Sequence, residues 1–269
     1  MIIGIIGFGV VGKAVEALLS ESYEVVKFDK YADHDRFEDL NNCDFVFVTV
    51  PTPFDCDKNK VDDSAIVESL AKLEKIDYNK IVIIKSTVPP GTCMSYSETY
   101  NLNIVFNPEF LRESTSPNED FKNQDTIVIG TGSPVVFESV KSMYEKVAVP
   151  EARYYHTNTI EAEMIKCAQN TMLASRVALA NMIYDACDKN GIDYDKVKQI
   201  AFDRFEILGP NMVQVPGPDG KRGFGGKCLP KDIRAFSTIH DSELLRKIID
   251  YNDSLRDDLE QSLLKFKKN

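Results

Sequence analysis

Histidine is scarce in this chain, with three residues in 269. Cysteine is present but scattered, at positions 43, 56, 93, 167, 187 and 228, with no C-x-x-C pair. These shortages argue against a structural zinc site and against a disulfide framework. Positive charge is short as well: 32 Lys and Arg face 42 Asp and Glu, for a formal charge of -10. That balance argues against nucleic acid or an anionic membrane as the main partner. The first twenty residues are apolar but lack a basic leader and a cleavage site, and Lys13 and Glu16 interrupt them. Neither a signal peptide nor a membrane span is expected there. Internal repeats and low-complexity segments are also missing. A reduced, cytoplasmic protein is expected, with enough hydrophobic residues (43%) for a core in one large or two modest domains.

What is present begins with Ile2-Ile3-Gly4-Ile5-Ile6, an apolar run suited to a strand buried on both faces. Gly7-Phe8-Gly9-Val10-Val11-Gly12 follows, and Lys13 to Leu19 reads as a helix. In the order strand, glycines, helix, this is a dinucleotide fingerprint. Gly7 and Gly9 permit the turn and a close pyrophosphate approach, and Gly12 lets the helix pack on the sheet. The helix N-terminus, with Val10 and Val11, faces the phosphates. The next strand, Glu24 to Phe28, ends at Asp29, where an acid can bind the ribose hydroxyls and disfavour a 2′-phosphate. The cofactor is therefore expected to be NAD.

Further strands are expected at Phe45–Val50, Ile81–Ile84, Ile104–Phe106, Thr126–Ile129 and Arg153–His156. Helices are expected over Asp63–Lys75, after Lys85–Thr92, and over Val135–Val147, with the polar stretch Asp55–Asp63 as a loop. Strands alternating with helices predict an α/β fold with a Rossmann-like, doubly wound parallel sheet. Thr52, Thr87, Glu109 and Glu113 fall beyond the carboxyl ends of its strands, where ligands bind.

The pattern changes at Thr159. From there to Lys189 no proline or glycine intervenes, which predicts one helix of roughly 45 Å at 1.5 Å per residue. Its apolar residues lie on more than one face, so it should be buried on several sides, the closing helices or a second copy of the chain covering it. Lys166 and Asn170, four apart, share a face; the spacing alone fits either a functional pair or a solvated surface. A helix over Asp195–Asp203 and two closing helices, the second from Ser242 to about Phe266, complete an all-helical second domain. The expected division is 1–157 and 158–269.

Between these helices a Pro/Gly-rich loop leads into Gly223-Phe224-Gly225-Gly226-Lys227-Cys228-Leu229-Pro230-Lys231-Asp232. Three glycines leave a backbone that another molecule can approach closely. Cys228 is either a small apolar filler or a thiolate favoured by Lys227 and Lys231.

Five motifs thus stand in order: the glycine fingerprint, Ser86-Thr87-Val88-Pro89, Asn107-Pro108-Glu109-Phe110-Leu111, Lys166 with Asn170, and the glycine-cysteine segment. Together they resemble the UDP-glucose/GDP-mannose dehydrogenase family, across nearly the whole chain. The loop Val215-Pro216-Gly217-Pro218-Asp219-Gly220 looks more like the UDP-glucose branch. The resemblance implies two successive NAD-dependent oxidations of a sugar C6 alcohol to a carboxylate, with no metal. It implies that Cys228 traps the intermediate aldehyde as a thiohemiacetal, which is oxidised to a thioester and hydrolysed. Lys166 and Asn170 would stabilise oxyanions, and Asp232, with a water and Thr87, would assist proton transfer. By the same resemblance Glu109, Phe110, Leu111 and Gly225 face the substrate, Glu113 lies toward the nicotinamide, and Thr52 and Lys231 contact the cofactor. A homodimer through the long helix is expected.

Family members normally continue into a second Rossmann-like domain that holds much of the nucleotide. The sequence stops after the helices that follow Cys228, so uridine contacts are not carried over and weak binding of a UDP-sugar is expected. Two other readings stay open at this point: a single-step β-hydroxyacid or 6-phosphogluconate-type dehydrogenase, and a non-catalytic or partner-dependent NAD-binding chain.

Overall fold

A computed structural model describes residues 1–256 except 33, 113–115, 206–207, 210 and 241. The chain divides into two compact units, residues 1–52 with 62–166, and residues 53–61 with 167–269. The division falls inside a helix, later than the 157/158 boundary suggested by the sequence.

The first unit is built on a seven-stranded sheet. Its strands are β1 (Ile2–Ile6), β2 (Glu24–Phe28), β3 (Phe45–Val48), β6 (Ile81–Ile84), β7 (Asn103–Phe106), β8 (Thr126–Gly130) and β9 (Arg153–Thr157). They lie in the order β2-β1-β3-β6-β7-β8-β9, β4 (Phe54–Asp55) and β5 (Lys60–Val61) being a hairpin of the second unit. The apolar runs build this sheet because alternate side chains go to opposite faces. Phe45 and Phe47 join one core with Ile3 and Ile5, while Val46 and Val48 join the other with Ile6. Helices α1 (Val10–Leu19), α4 (Pro117–Lys122) and α5 (Pro134–Tyr144) cover the first of these faces. The other is covered by α2 (Ser64–Lys75), α3 (Thr92–Thr99) and the start of α6 (Thr159–Lys189). This is the doubly wound arrangement the sequence predicts.

The sheet is not all parallel. β8 runs antiparallel to β7, and β9 is parallel to β8. Antiparallel neighbours need no full crossover, and among its described residues the connection from β7 to β8 holds the short α4. α1 starts at Val10 rather than Lys13, and α5 ends at Tyr144 rather than Val147.

Glu163 ties α6 into this unit. Its side chain is fully buried, and it accepts hydrogen bonds from Gly91 N at 2.6 Å and Cys93 N at 2.8 Å, at the start of α3. A carboxylate there satisfies amides that a helix start leaves without intrahelical partners. Burial pushes the Glu163 carboxyl above its ordinary range and the neighbouring Cys93 thiol well above its own. Glu163→Ala is expected to cost about 2–4 kcal/mol, since it strands both amides. The check is the urea midpoint; a cost under about 1 kcal/mol would show that water reaches both groups.

The second unit contains the rest of α6, α7 (Tyr194–Lys198) with a wide turn over Gln199–Asp203, α8 (Leu229–Ile239) and α9 (Glu243–Ser254). The helix expected over Asp195–Asp203 is thus a short α-helix and a π turn. Residues 53–61, expected as a loop, carry the hairpin β4 (Phe54–Asp55) and β5 (Lys60–Val61). It belongs here because Phe54 and Val61 pack on Ala235 of α8. In α9, Leu245 is buried while Leu244 is 70% exposed. The last part of the closing helix expected to reach Phe266 lies outside the described residues.

α6 matches its predicted bounds. Among the described residues, however, Ile165, Met172, Leu179 and Met182 of this helix are exposed.

Candidate active site

In the first unit, strand order reverses direction between β1 and β3, the position at which open α/β sheets bind ligands. The loop after β1 is shaped by its glycines. Gly7 has φ +89°, and a Cβ there would lie 3.0 Å from Val50 N; a Cβ at Gly12 would run into Gly7 O. At Gly9, by contrast, a Cβ would meet nothing within 4 Å. Gly9 is also the N-cap of α1 and offers no side chain to its first amides. A bare backbone, a helix start without a side-chain cap and room for approach fit a pyrophosphate. Asp29 Oδ2 accepts from Phe8 N at 2.7 Å and Oδ1 from Tyr31 N at 2.9 Å. The carboxylate therefore holds the fingerprint loop, and a carboxylate retains further lone pairs for a ribose hydroxyl.

Thr52, after β3, is buried and donates to Thr87 O at 2.8 Å, so the loops after β3 and β6 are joined. Beyond them lies a buried polar network that sequence reasoning passed over. Lys85 directly follows the apolar strand β6, with a side chain that has no exposure. Its Nζ lies 2.9 Å from Asn107 Oδ1, 3.2 Å from Glu109 Oε2, and 4.9 Å from the centre of the Phe121 ring. Tyr144 donates to Asn107 Oδ1 at 2.7 Å, and Asn107 Nδ2 donates to Val128 O. Burial lowers the Lys85 pKa, and the Glu109 carboxylate opposes that shift. Glu109 Oε1 accepts from the amides of Phe110 and Leu111 at 2.8 and 2.9 Å, while Oε2 meets Lys85 as an ion pair without hydrogen-bond geometry. The signal was a lysine at the end of a fully apolar strand, a position where charge needs a partner. Lys166 is buried, with Nζ 5.4 Å from the centre of the Phe110 ring. Glu113 lies outside the described residues.

In the second unit, Asn170 on α6 donates through Nδ2 to Asp232 Oδ2 on α8. Both are buried, which removes the solvated-surface reading of the Lys166–Asn170 face. Asp232 Oδ1 pairs with Lys231 Nζ at 2.8 Å. Cys228 is the N-cap residue of α8, and its carbonyl accepts from Asp232 N at 2.8 Å, so the two side chains are one helical turn apart. Cys228 is exposed, which removes the filler reading. Gly225 lies under the guanidinium of Arg256, which would collide with any Cβ there. The chain thus has a reachable sulfur next to a buried carboxylate held by a carboxamide and an ammonium. That set suits nucleophilic capture followed by proton transfer.

Comparison with known proteins decides the family. Residues 14–148 match the NAD binding domain of the UDP-glucose/GDP-mannose dehydrogenase family, and residues 160–254 match its central domain. The chain belongs to that family. The UDP-glucose 6-dehydrogenase of Rickettsia typhi is 33% identical over 226 residues, 80% of this chain and 50% of that protein. UDP-glucose 6-dehydrogenase YwqF of Bacillus subtilis is 31% identical, again over 80% of this chain and 50% of that protein. The chain therefore spans about half the length of these curated relatives. The structure of a UDP-glucose dehydrogenase from Pyrobaculum islandicum superposes with a TM-score of 0.81 at 23% identity, covering 94% of this chain and 68% of that one. The fold is accordingly that of the nucleotide-sugar dehydrogenases, and the first unit carries their NAD-binding domain. Among the described residues no helix is long and apolar enough to cross a membrane, and no cluster of metal-ligating side chains is found.

Proposed function

We propose that this chain carries out NAD-dependent oxidation of a nucleotide sugar at C6, with UDP-glucose as substrate and UDP-glucuronate as product. The observation that carries the reading is Cys228, exposed at the start of α8, one turn from the buried Asn170–Asp232 pair. A single-step alcohol oxidation has no use for that sulfur.

The amides at the start of α1 and the Asp29 carboxylate would hold the dinucleotide, with Thr52 as a further contact in the same unit. When bound, NAD accepts the hydride in each oxidation. Cys228 sulfur adds to the C6 aldehyde; the C–S bond forms and the carbonyl oxygen takes up negative charge. Lys166 and Asn170 would stabilise that oxygen. After the second oxidation the adduct is a thioester. Water adds to it, the C–S bond breaks, and the thiol is regenerated as the carboxylate leaves. Asp232 would take the proton of that water. In the first unit Glu109, Phe110 and Leu111 are the candidates for sugar contacts, and in the second Gly225.

The test is NADH formation by the purified chain over a panel of UDP- and GDP-sugars. Two NADH per UDP-glucose supports the reading. One NADH per substrate would leave a single-step dehydrogenase, and none from any sugar would leave a non-catalytic or partner-dependent role.

Asp29 underlies the choice of NAD over NADP, because a carboxylate repels a 2′-phosphate. Asp29→Asn keeps an oxygen for Phe8 N but removes the charge, and should narrow the NAD/NADP affinity gap. Asp29→Ala also loosens the loop and should weaken NAD itself by about tenfold or more, the equivalent of a lost charged hydrogen bond. Equal wild-type affinity for both cofactors in calorimetry would remove Asp29 from the ribose.

The exposed row Ile165, Met172, Leu179 and Met182 on α6 supports a homodimer along that helix. Light scattering at micromolar concentration should give twice the chain mass of 30.3 kDa; a monomer would overturn the dimer.

A further inference from the structure

The segment that delivers Cys228 is held by side chains from elsewhere in its unit. Asn252, near the end of α9, has no exposed surface. Its Oδ1 accepts from Phe224 N at 2.6 Å and its Nδ2 donates to Phe224 O at 3.2 Å. One carboxamide thus pairs with both polar groups of one backbone residue, as a neighbouring strand would. Asn181 on α6, also buried, accepts from Gly223 N at 3.1 Å. Arg256 donates to Arg222 O and Gly223 O at 3.3 Å, and to Asp219 Oδ2 at 2.6 Å. The glycine at 223 follows from this grip: its φ is +74°, and a Cβ would lie 2.6 Å from Asn252 Oδ1. Phe224, between the gripped amides, is buried in the core that joins α6, α8 and α9.

We infer that Asn252 is a positioning residue for Cys228. It fixes the backbone four residues before the sulfur, so that Cys228 meets the first turn of α8 with its side chain on the Asp232 face. The residue type is set by chemistry. Asparagine offers one acceptor and one donor side by side; aspartate of the same shape offers only acceptors and would set one against Phe224 O. Serine has the hydroxyl but not the reach. The role in turnover rests on reading Cys228 as the nucleophile; the positional claim does not.

The test measures the sulfur directly and needs no substrate. Wild type, Asn252→Asp and Asn252→Ser are treated with iodoacetamide under native conditions, and alkylation is followed peptide by peptide. Cys56, the other exposed cysteine, is the internal reference. The α8 amides favour the thiolate that alkylation requires, so a sulfur released from the helix start should react more slowly. Cys228 is expected to slow by about tenfold relative to Cys56, the rate equivalent of roughly one buried hydrogen bond. A merely structural role would lower the melting temperature and leave that ratio unchanged. Two folded variants with the wild-type ratio would overturn the inference; serine, which introduces no charge, provides the second variant if aspartate prevents folding. A wild type that makes no NADH from any nucleotide sugar would remove the proposed function, while the alkylation ratio would still decide the role of Asn252.

Discussion

Cys228→Ser is expected to lower acid formation by at least about a thousandfold, because the serine hydroxyl is far less nucleophilic than a thiolate and a nucleophile acts as a unit with its partners. Binding of NAD should be unchanged, since the fingerprint glycines and Asp29 belong to the first unit and Cys228 to the second. The first oxidation does not need the sulfur. The variant should therefore release aldehyde, seen by trapping with a hydrazine, in place of UDP-glucuronate. The two measurements are product analysis by chromatography and calorimetric titration with NAD. Full conversion to the uronic acid by the serine variant would falsify the thioester route and leave direct hydration of the aldehyde in its place.

The second large effect is expected in the first unit. Lys85→Met should destabilise the chain by about 3–5 kcal/mol, the usual loss when one member of a buried ion pair is removed and the other stays behind. Lys85 has no exposed side-chain surface and Glu109 only 7%. The Lys85 pKa lies below its ordinary value because of burial, so its ionisation opposes folding at neutral pH, and the Glu109, Asn107 and Phe121 contacts offset part of that cost. A lowered folded-state pKa contributes stability above the unfolded lysine value and loses it as pH falls through the folded value. Removing both charges should therefore recover much of the loss, and Lys85→Met/Glu109→Gln is expected to be more stable than Lys85→Met alone. Urea unfolding of the two variants measures the difference. A double variant no more stable than the single one would show that the Glu109 carboxylate is held by the Phe110 and Leu111 amides without need of Lys85.

The sequence by itself determined the local pieces. Strand, glycines and helix in that order specify the fingerprint, because each demand falls on neighbouring residues. Alternating short apolar runs and amphipathic segments specify a doubly wound sheet, and thirty-one residues without glycine or proline specify α6. The glycine-cysteine segment and the family motifs were equally legible, being contiguous. The direction of β8 and the hairpin at Phe54–Val61 were not, since both depend on which neighbour a strand meets.

Only the tertiary structure decided the polar partners. Asn170 finds Asp232 across 62 positions, Lys85 finds Asn107 across 22, and Asn252 grips Phe224 across 28. Glu163 reaches the start of α3 from 70 residues away. The physical reason is the range of the signal. Hydrophobic periodicity reports which face of an element is buried, and it is read within a turn or two of chain. A buried carboxylate or carboxamide reports nothing in its own neighbourhood; its partner is set by how helices and strands pack, and burial then makes that partner obligatory.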